Sequence, residues 1–179
     1  GNAKAGKIQW TKKTSKGFIP KPSKTYNASG PKVDGYWGSW GTWGKCPKGS
    51  YAYAFRQRVE KKKGGGDDTA LNSIQLKCRT AKGKYKGVIK SREGWWGRWS
   101  SWKSCSKGHF LTSFKMRVEK KQGGKDDTAA NDVRFRCSNG KELIANRRGP
   151  WGTWRNGQSC GKSGYINAFA TRVETKQKS

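Results

Sequence analysis

The chain has 179 residues with 40 Lys plus Arg against 11 Asp plus Glu, a formal net charge of +29. A field of that strength draws polyanions such as nucleic acid, sulfated glycan, acidic mucin or charged mineral, and no run of about 18 apolar residues exists to cross a membrane as a helix. The apolar fraction is only 31%, yet ten Trp, six Tyr and six Phe supply bulky surface to bury, and 25 Gly favour turns over long helices, so one all-β domain is expected.

The first 34 residues form a Lys-rich extension. No hydrophobic leader sits at Gly1, which leaves a cytosolic or a mature secreted chain for the cysteines to decide between. Asn27-Ala28-Ser29 is a glycosylation sequon in a Pro-rich stretch. Ile8, Gln9, Thr14, Lys16 and Gly17 echo Ile74, Gln75, Thr80, Lys82 and Gly83 at an offset of 66. The extension is therefore expected to supply strands to the third sheet of the body that follows.

That body, residues 35–179, repeats itself. WGSWGTWGKCPKGSYAYAFRQRVEKKKGGGDDTALNSIQLKC (37–78) recurs at an offset of 59 as WGRWSSWKSCSKGHFLTSFKMRVEKKQGGKDDTAANDVRFRC (96–137), and a third copy begins at Trp151 and stops early. The copies span about 35–93, 94–148 and 149–179. Tyr51, Tyr53, Phe55, Gln57 and Val59 alternate with Ala52, Ala54, Arg56 and Arg58; Phe110 to Val118 and Tyr165 to Val173 do the same. Period two predicts strands, as it does for Ile74, Leu76 and Cys78 and for Val133, Phe135 and Cys137. Each copy then reads as a small antiparallel sheet with one apolar face, which three copies can bury against a common axis.

Cys46 to Cys78 and Cys105 to Cys137 are both separations of 32, so two equivalent disulfides are the economical pairing, each joining the strand after a Trp motif to the last strand of its copy. No CxxC exists and His109 is the single His, so no metal or other cofactor is expected, and the bridges imply an oxidising, extracellular compartment. Cys160 is odd: a partner at the same spacing would fall at 192, beyond Ser179. It is expected to be unpaired within the chain, with processing or an intermolecular bridge as the alternatives.

The tandem succession W-G-x-W, C-x-x-G-x, F-x-x-R-V-E and G-x-D-D-T-A-x-N-x-[IV]-x-[LF]-x-C resembles the vitelline membrane outer layer protein I family over about residues 35–179. The resemblance implies a β-prism, three antiparallel sheets around a pseudo-threefold axis, and a secreted coat protein. It also implies a lysozyme-like transfer among N-acetylchitooligosaccharides, chemistry that needs two carboxyls roughly 5 to 9.5 Å apart.

Glu60 with Asp67 or Asp68 is the pair that hairpin geometry offers for such chemistry. Yet seven of the 11 acids, namely Glu60, Glu119, Glu174, Asp67, Asp68, Asp126 and Asp127, lie at motif positions. Acids repeated by symmetry suit architecture better than a single asymmetric active site. Asp67, Asp68, Asp126 and Asp127 are therefore expected to be structural turn residues whose carboxylates hold nearby amides, with Arg58 and Arg117 as partners, and no catalytic residue is assigned.

The Trp clusters have two readings: caps of the core, which is favoured, or platforms for sugar rings, for which Trp43, Trp95 and Trp102 are the expected exposed members. The cations fall at Lys61 to Lys63, Lys77 to Arg92, Lys115 to Lys125 and in residues 4–24, and +29 is several-fold more than solubility requires. Lys61, Lys62, Lys63, Lys82, Lys84, Lys86, Lys120, Lys121 and Lys125 are expected to bind a polyanion by multivalent ion pairing. The absence of a helix-turn-helix, finger or RNP signature argues against specific nucleic-acid recognition. The expectation is a secreted, non-enzymatic matrix or coat protein that binds acidic glycan, mucin or a mineral such as silica, with other matrix proteins or its own copies as further partners. The alternatives are a protein binding or transferring N-acetylglucosamine oligosaccharides and a basic antimicrobial protein.

Overall fold

A computed structural model describes residues 39–61, 71–119, 130–160 and 164–173, and 3–14, 17–18 and 25–27 in their backbone pairing. The expected acidic turns at Asp67, Asp68, Asp126 and Asp127 lie outside the described residues. All regular structure among the described residues is strand, in three antiparallel sheets.

The first sheet is built on β6 (Ser50–Val59), β7 (Leu71–Thr80) and β8 (Tyr85–Lys90), joined on its other edge by β9 (Arg98–Trp99) and β10 (Lys103–Ser104). The second comprises β11 (Leu111–Val118), β12 (Ala130–Cys137), β13 (Glu142–Ile144) and β14 (Thr153–Ser159). The third centres on β15 (Gly164–Val173), flanked on one side by β1 (Ala3–Thr14) with β2 (Gly17–Phe18) and β3 (Thr25–Asn27), and on the other by β4 (Ser39–Trp40) and β5 (Gly44–Lys45). β1 stands to β15 as β7 stands to β6, with Ile8 opposite Phe169 where Leu76 is opposite Phe55.

The expectation that each copy forms its own sheet is corrected. The Trp-motif strands of the second copy (β9, β10) pair with β6 of the first, β14 of the third pairs with β11 of the second, and β4 and β5 of the first pair with β15 of the third. Every sheet thus takes its outer strands from the next copy, in a closed cycle. Alternation marks a strand but does not name its partner; here the partner is set at the Trp-Gly elbow. Gly97 (φ 92°) and Gly152 (φ 94°) turn the chain in the left-handed region. At both, a Cβ would overlap the backbone of Val59 or Val118, the last residue of the preceding copy's central strand.

The expected alternation from Tyr51 to Val59 also breaks. The β6–β7 register shifts between Ala52 and Ala54, and equivalent bulges lie between Leu111 and Ser113 and between Ile166 and Ala168. The extra residues are Tyr53, Thr112 and Asn167. Their carbonyls accept the amides of Cys105, Cys160 and Cys46 at 2.8 Å, so the bulge is where each sheet receives the following Trp-motif strand. Below it, Phe55, Gln57 and Val59 face inward as expected; above it, Ala52, Leu111 and Ile166 take over, all at or near zero exposure.

One apolar cluster joins all three sheets, with Phe55 and Leu76, Phe114 and Phe135, and Ile166 and Phe169 as its large members. The Phe55 and Phe135 ring centroids lie 4.9 Å apart across the sheet boundary. At one end Tyr51, Phe110 and Tyr165, equivalent residues of the three copies, close the axis at centroid spacings of 4.7–5.6 Å. This is the β-prism that the family resemblance implies.

Both disulfides form as paired by spacing, Cys46–Cys78 and Cys105–Cys137. Because Cys46 follows β5 and Cys105 follows β10, each bridge staples one sheet to its neighbour. Cys160 is free and buried. Where Cys78 is opposite Ala52 and Cys137 opposite Leu111, Trp10 is opposite Ile166, so the third sheet has no half-cystine in that register.

Candidate functional site

The end of the prism that carries the disulfides also carries a repeated set of lysines. The turn Pro47–Ser50 is closed by Ser50 N–H to Pro47 O at 3.0 Å and has Lys48 followed by Gly49 at φ 77°. Its counterpart Ser106–His109 is closed by His109 N–H to Ser106 O at 3.0 Å and has Lys107 followed by Gly108 at φ 79°. A positive φ at the third position is the type II turn geometry that glycine relieves of strain, and it leaves the preceding lysine at the turn's apex. The hairpin turns at the same end add Lys82 and Lys84 around Gly83 and Lys141 after Gly140. Lys48, Lys82, Lys84, Lys107 and Lys141 are all exposed.

These turns are held stiffly. The Arg79 guanidinium donates to Ser106 O at 2.7 Å and His109 O at 2.8 Å and stacks over Tyr53 at 4.2 Å and Phe110 at 5.4 Å. His109 Nδ1 meets Ser138 Oγ at 2.9 Å, and the Ser138 hydroxyl also accepts Phe110 N–H at 3.2 Å. The turns themselves hold no carboxylate. Glu142, beside Lys141, is committed elsewhere, to Lys115 at 3.0 Å and Arg134 at 3.1 Å. Burial raises its pKa, but the hydrogen bonds from Lys115 and Arg134 outweigh that and hold it below the usual range. The other described acids, Glu60, Glu93, Glu119 and Asp132, belong to the opposite end of the strands. The described carboxylates thus lie away from the lysine turns, while exposed cations such as Lys61, Arg98 and Arg148 occur at the other end as well.

The lysines named from sequence do not form one patch. Lys82 and Lys84 lie at the disulfide end and Lys86 is half-buried on β8, whereas Lys61 is exposed beyond Val59, a full ten-residue strand or roughly 30 Å away. Lys62, Lys63, Lys120, Lys121 and Lys125 lie outside the described residues, and so does the side chain of Asn27. Sequence reading passed over Lys48, Lys107 and Lys141; the signal was the repeated Cys-x-Lys of 46–48, 105–107 and 160–162 for the first two, and for Lys141 its place four residues after Cys137, as Lys82 stands after Cys78.

Tryptophan is corrected too. No described Trp belongs to the core. Trp99, Trp102 and Trp154 lie half-buried on the outer sheet faces beneath cations: Arg56 is 4.5 Å from Trp99 and 4.8 Å from Trp102, Lys77 is 4.4 Å from Trp102, and Arg134 is 4.4 Å from Trp154. Of the three expected to be exposed, Trp43 and Trp102 are half-buried and Trp95 is 81% exposed. Arg58 and Arg117 donate through Nε to the carbonyls of Gly97 and Gly152, both at 3.1 Å; the carboxylates of Asp67, Asp68, Asp126 and Asp127 expected as their partners lie outside the described residues.

Among the described acids, Asp132 is the one with a strongly altered pKa. Burial pushes it up to about 6 against the opposing influence of the Gln57 hydrogen bond and the charges of Arg134 and Arg148. It is 1% exposed, accepts Gln57 Nε2 at 2.8 Å and is closed off from any substrate. Gln57 Nε2 also donates to Arg147 O and Gln57 Oε1 accepts Val133 N–H at 3.1 Å, a network that ties the first sheet to the second. The Cys160 thiol, raised far above its ordinary value by burial, is no nucleophile at neutral pH. No cluster of three metal-ligating side chains occurs among the described residues.

Fold and surface together define a disulfide-stapled β-prism with a strongly basic exterior. Residues 30–143 match the family described as Vitelline membrane outer layer protein I, and the chain belongs to that family. A relative from Homo sapiens, vitelline membrane outer layer protein 1 homolog, is 45% identical over 124 residues, covering 67% of this chain and 58% of the relative. The Mus musculus protein of the same name is 43% identical over 144 residues, 78% of this chain and 70% of that protein. The chain therefore spans little more than half the human relative's length. A mannose-binding lectin from champedak aligns with a TM-score of 0.38 at 9% identity, over 77% of this chain and 97% of the lectin, too distant a likeness to carry an argument.

Proposed function

We propose that this protein is a secreted, non-enzymatic coat or matrix component whose disulfide end binds polyanions, either acidic glycans and mucins or a negatively charged mineral such as silica. The observation that carries the reading is the recurrence of exposed lysines on symmetry-related turns at one end, in turns that contain no acid. One exposed ion pair contributes little in water. Several ammonium groups on one rigid frame engage a polymeric or planar anion together, and the avidity of that engagement falls as salt screens it.

Membership of the family supports an extracellular setting, and the two disulfides agree with it. The described carboxylates support a non-enzymatic reading: the one with a raised pKa, Asp132, is sealed in the interior.

The test is retention on immobilised heparin and on silica particles at about 50 mM salt, followed by a salt gradient. The wild type is expected to bind both and elute as screening increases. The variant Lys48→Glu/Lys82→Glu/Lys107→Glu/Lys141→Glu is expected to elute at markedly lower salt from both. Equal retention of wild type and variant would move the site away from this end, and failure of the wild type to bind either support would end the polyanion reading.

A further inference from the structure

Tryptophans recur in this chain at a spacing of three: Trp96 is followed by Trp99 and Trp102, and Trp151 by Trp154. Side chains three apart on a strand face opposite sides, so sheet periodicity does not dictate the spacing. Packing accounts for the later members, which lie half-buried beneath cations: the Arg56 guanidinium is 4.5 Å from Trp99 and 4.8 Å from Trp102, and that of Arg134 is 4.4 Å from Trp154. It does not account for the leading members. Trp96 is 43% and Trp151 46% exposed, each just before a glycine at positive φ. Trp95 is more exposed still, at 81%, but has Arg98 rather than Trp three residues on.

W-x-x-W is the acceptor pattern of C-mannosylation, a covalent modification of the first indole of the pair. As a short motif it needs a structural context, and the context here is room for a sugar on the leading ring once the chain has folded. The chemistry is an electrophilic substitution. Indole C3 already bears Cβ, so C2 is the carbon that reacts. The anomeric carbon of a polyprenyl-phosphate-linked mannose forms a C–C bond with C2, and its bond to the phosphate oxygen breaks with the electron pair left on that oxygen. The C2 proton passes to the phosphate, which restores the aromatic ring and releases polyprenyl phosphate, with no oxidant or reductant.

We propose that Trp96 and Trp151 each carry one C-linked mannose, added from a lipid-linked donor before the chain folds. The inference rests on the secreted setting, because the donor lies in the secretory pathway. The timing follows from burial: Trp99 and Trp154 are half-buried in the folded prism, so each pair is open to a transferase only in the extended chain. Trp40 and Trp99 also head pairs, but both are half-buried, which leaves Trp96 and Trp151 as the open positions. A hexose on each gives an exposed apolar ring a hydrated cover. That cover matters most when a polyanion neutralises the lysines and removes the charge that keeps copies apart.

The experiment expresses the full chain behind a secretion signal in mammalian cells, and in the same cells lacking C-mannosyltransferase. Protein from the medium is cut with trypsin, and the peptides Glu93–Arg98 and Gly149–Arg155 are fragmented in a mass spectrometer. One hexose is expected on Trp96 and one on Trp151, both surviving fragmentation as a C–C-linked sugar does, with Trp95 unmodified and no hexose from the transferase-deficient cells. Trp154→Phe is expected to abolish the hexose on Trp151 and to leave that on Trp96. Unmodified Trp96 and Trp151 in a secreted, disulfide-bonded chain overturns the proposal, as does a hexose on Trp95, a hexose that persists without the transferase, or one on Trp151 that Trp154→Phe does not remove. A chain retained in the cell with reduced cysteines fails the secreted setting itself, so the two failures are told apart.

Discussion

Asp132 shows how a single buried group in so basic a molecule turns into a pH response. Its carboxyl titrates near 6 in the folded chain against 3.8 ordinarily, so the folded state keeps a proton that the unfolded state releases. Stability from this group is greatest below about pH 4, falls as pH rises toward about 6 and is level above, a difference of at most about 3 kcal/mol. Asp132→Asn, which keeps an acceptor for Gln57, is expected to flatten the urea midpoint between pH 4 and pH 7 and to raise it at pH 7. An unchanged slope would assign the pH response to other groups. Gly97 is the second sensitive residue. Alanine there meets both an unfavourable φ of 92° and the Val59 backbone, so Gly97→Ala is expected to cost about 2–4 kcal/mol by chemical denaturation, whereas Gly49→Ala, with open space around it, pays only the conformational cost.

At the scale of elements, the bulge, the elbow and the bridge act as a unit. The bulge carbonyl receives the cysteine amide of the next Trp-motif strand, and the cysteine then bonds to the neighbouring sheet. Both bridges close loops of the same sequence separation, 32, so the chain-entropy argument assigns each about 3–4 kcal/mol. Cys46→Ala/Cys78→Ala and Cys105→Ala/Cys137→Ala are expected to lose similar stability by thermal unfolding; a large inequality would place the difference in packing, since Cys105 is buried and Cys46 only half so. Trp10 occupies the register of Cys78 and Cys137. Trp10→Cys is therefore expected to close a third bridge with Cys160, read as loss of the free thiol in intact mass after alkylation; a thiol that still reacts after oxidation would contradict the β1 register.

For the whole molecule, the lysine turns and most of the described carboxylates fall at opposite ends. The lysine turns and the axial ring of Tyr51, Phe110 and Tyr165 share one end, while the Trp-Gly elbows and most described carboxylates share the other. Silica particles at about 50 mM salt are expected to retain the protein and to carry markedly less of the four-lysine variant, read as protein left in the supernatant; equal uptake would move the anion contact away from the lysine turns.

Much of this was legible without coordinates. The recurrence of the Trp-Gly and cysteine motifs at Trp37, Trp96 and Trp151 announced the threefold repeat, the alternation from Phe55 to Val59 announced strands, and two equal cysteine separations announced two bridges, because period and spacing are one-dimensional properties that a chain displays directly. What tertiary structure alone decided was partnership. Period two cannot say that β9 and β10 would lie on β6 of the preceding copy, nor that a bulge at Tyr53 would hand the inward face to Ala52. The tryptophans looked like core by size and fell outside it because the outward cations Arg56, Lys77 and Arg134 cover their rings. The lysines read as runs along the chain, and folding separated Lys61 from Lys82 by the length of a strand while bringing Lys48, Lys107 and Lys141 to one end. Local pattern follows from neighbouring bonds; which surfaces come together depends on pairings across distances that no local pattern encodes.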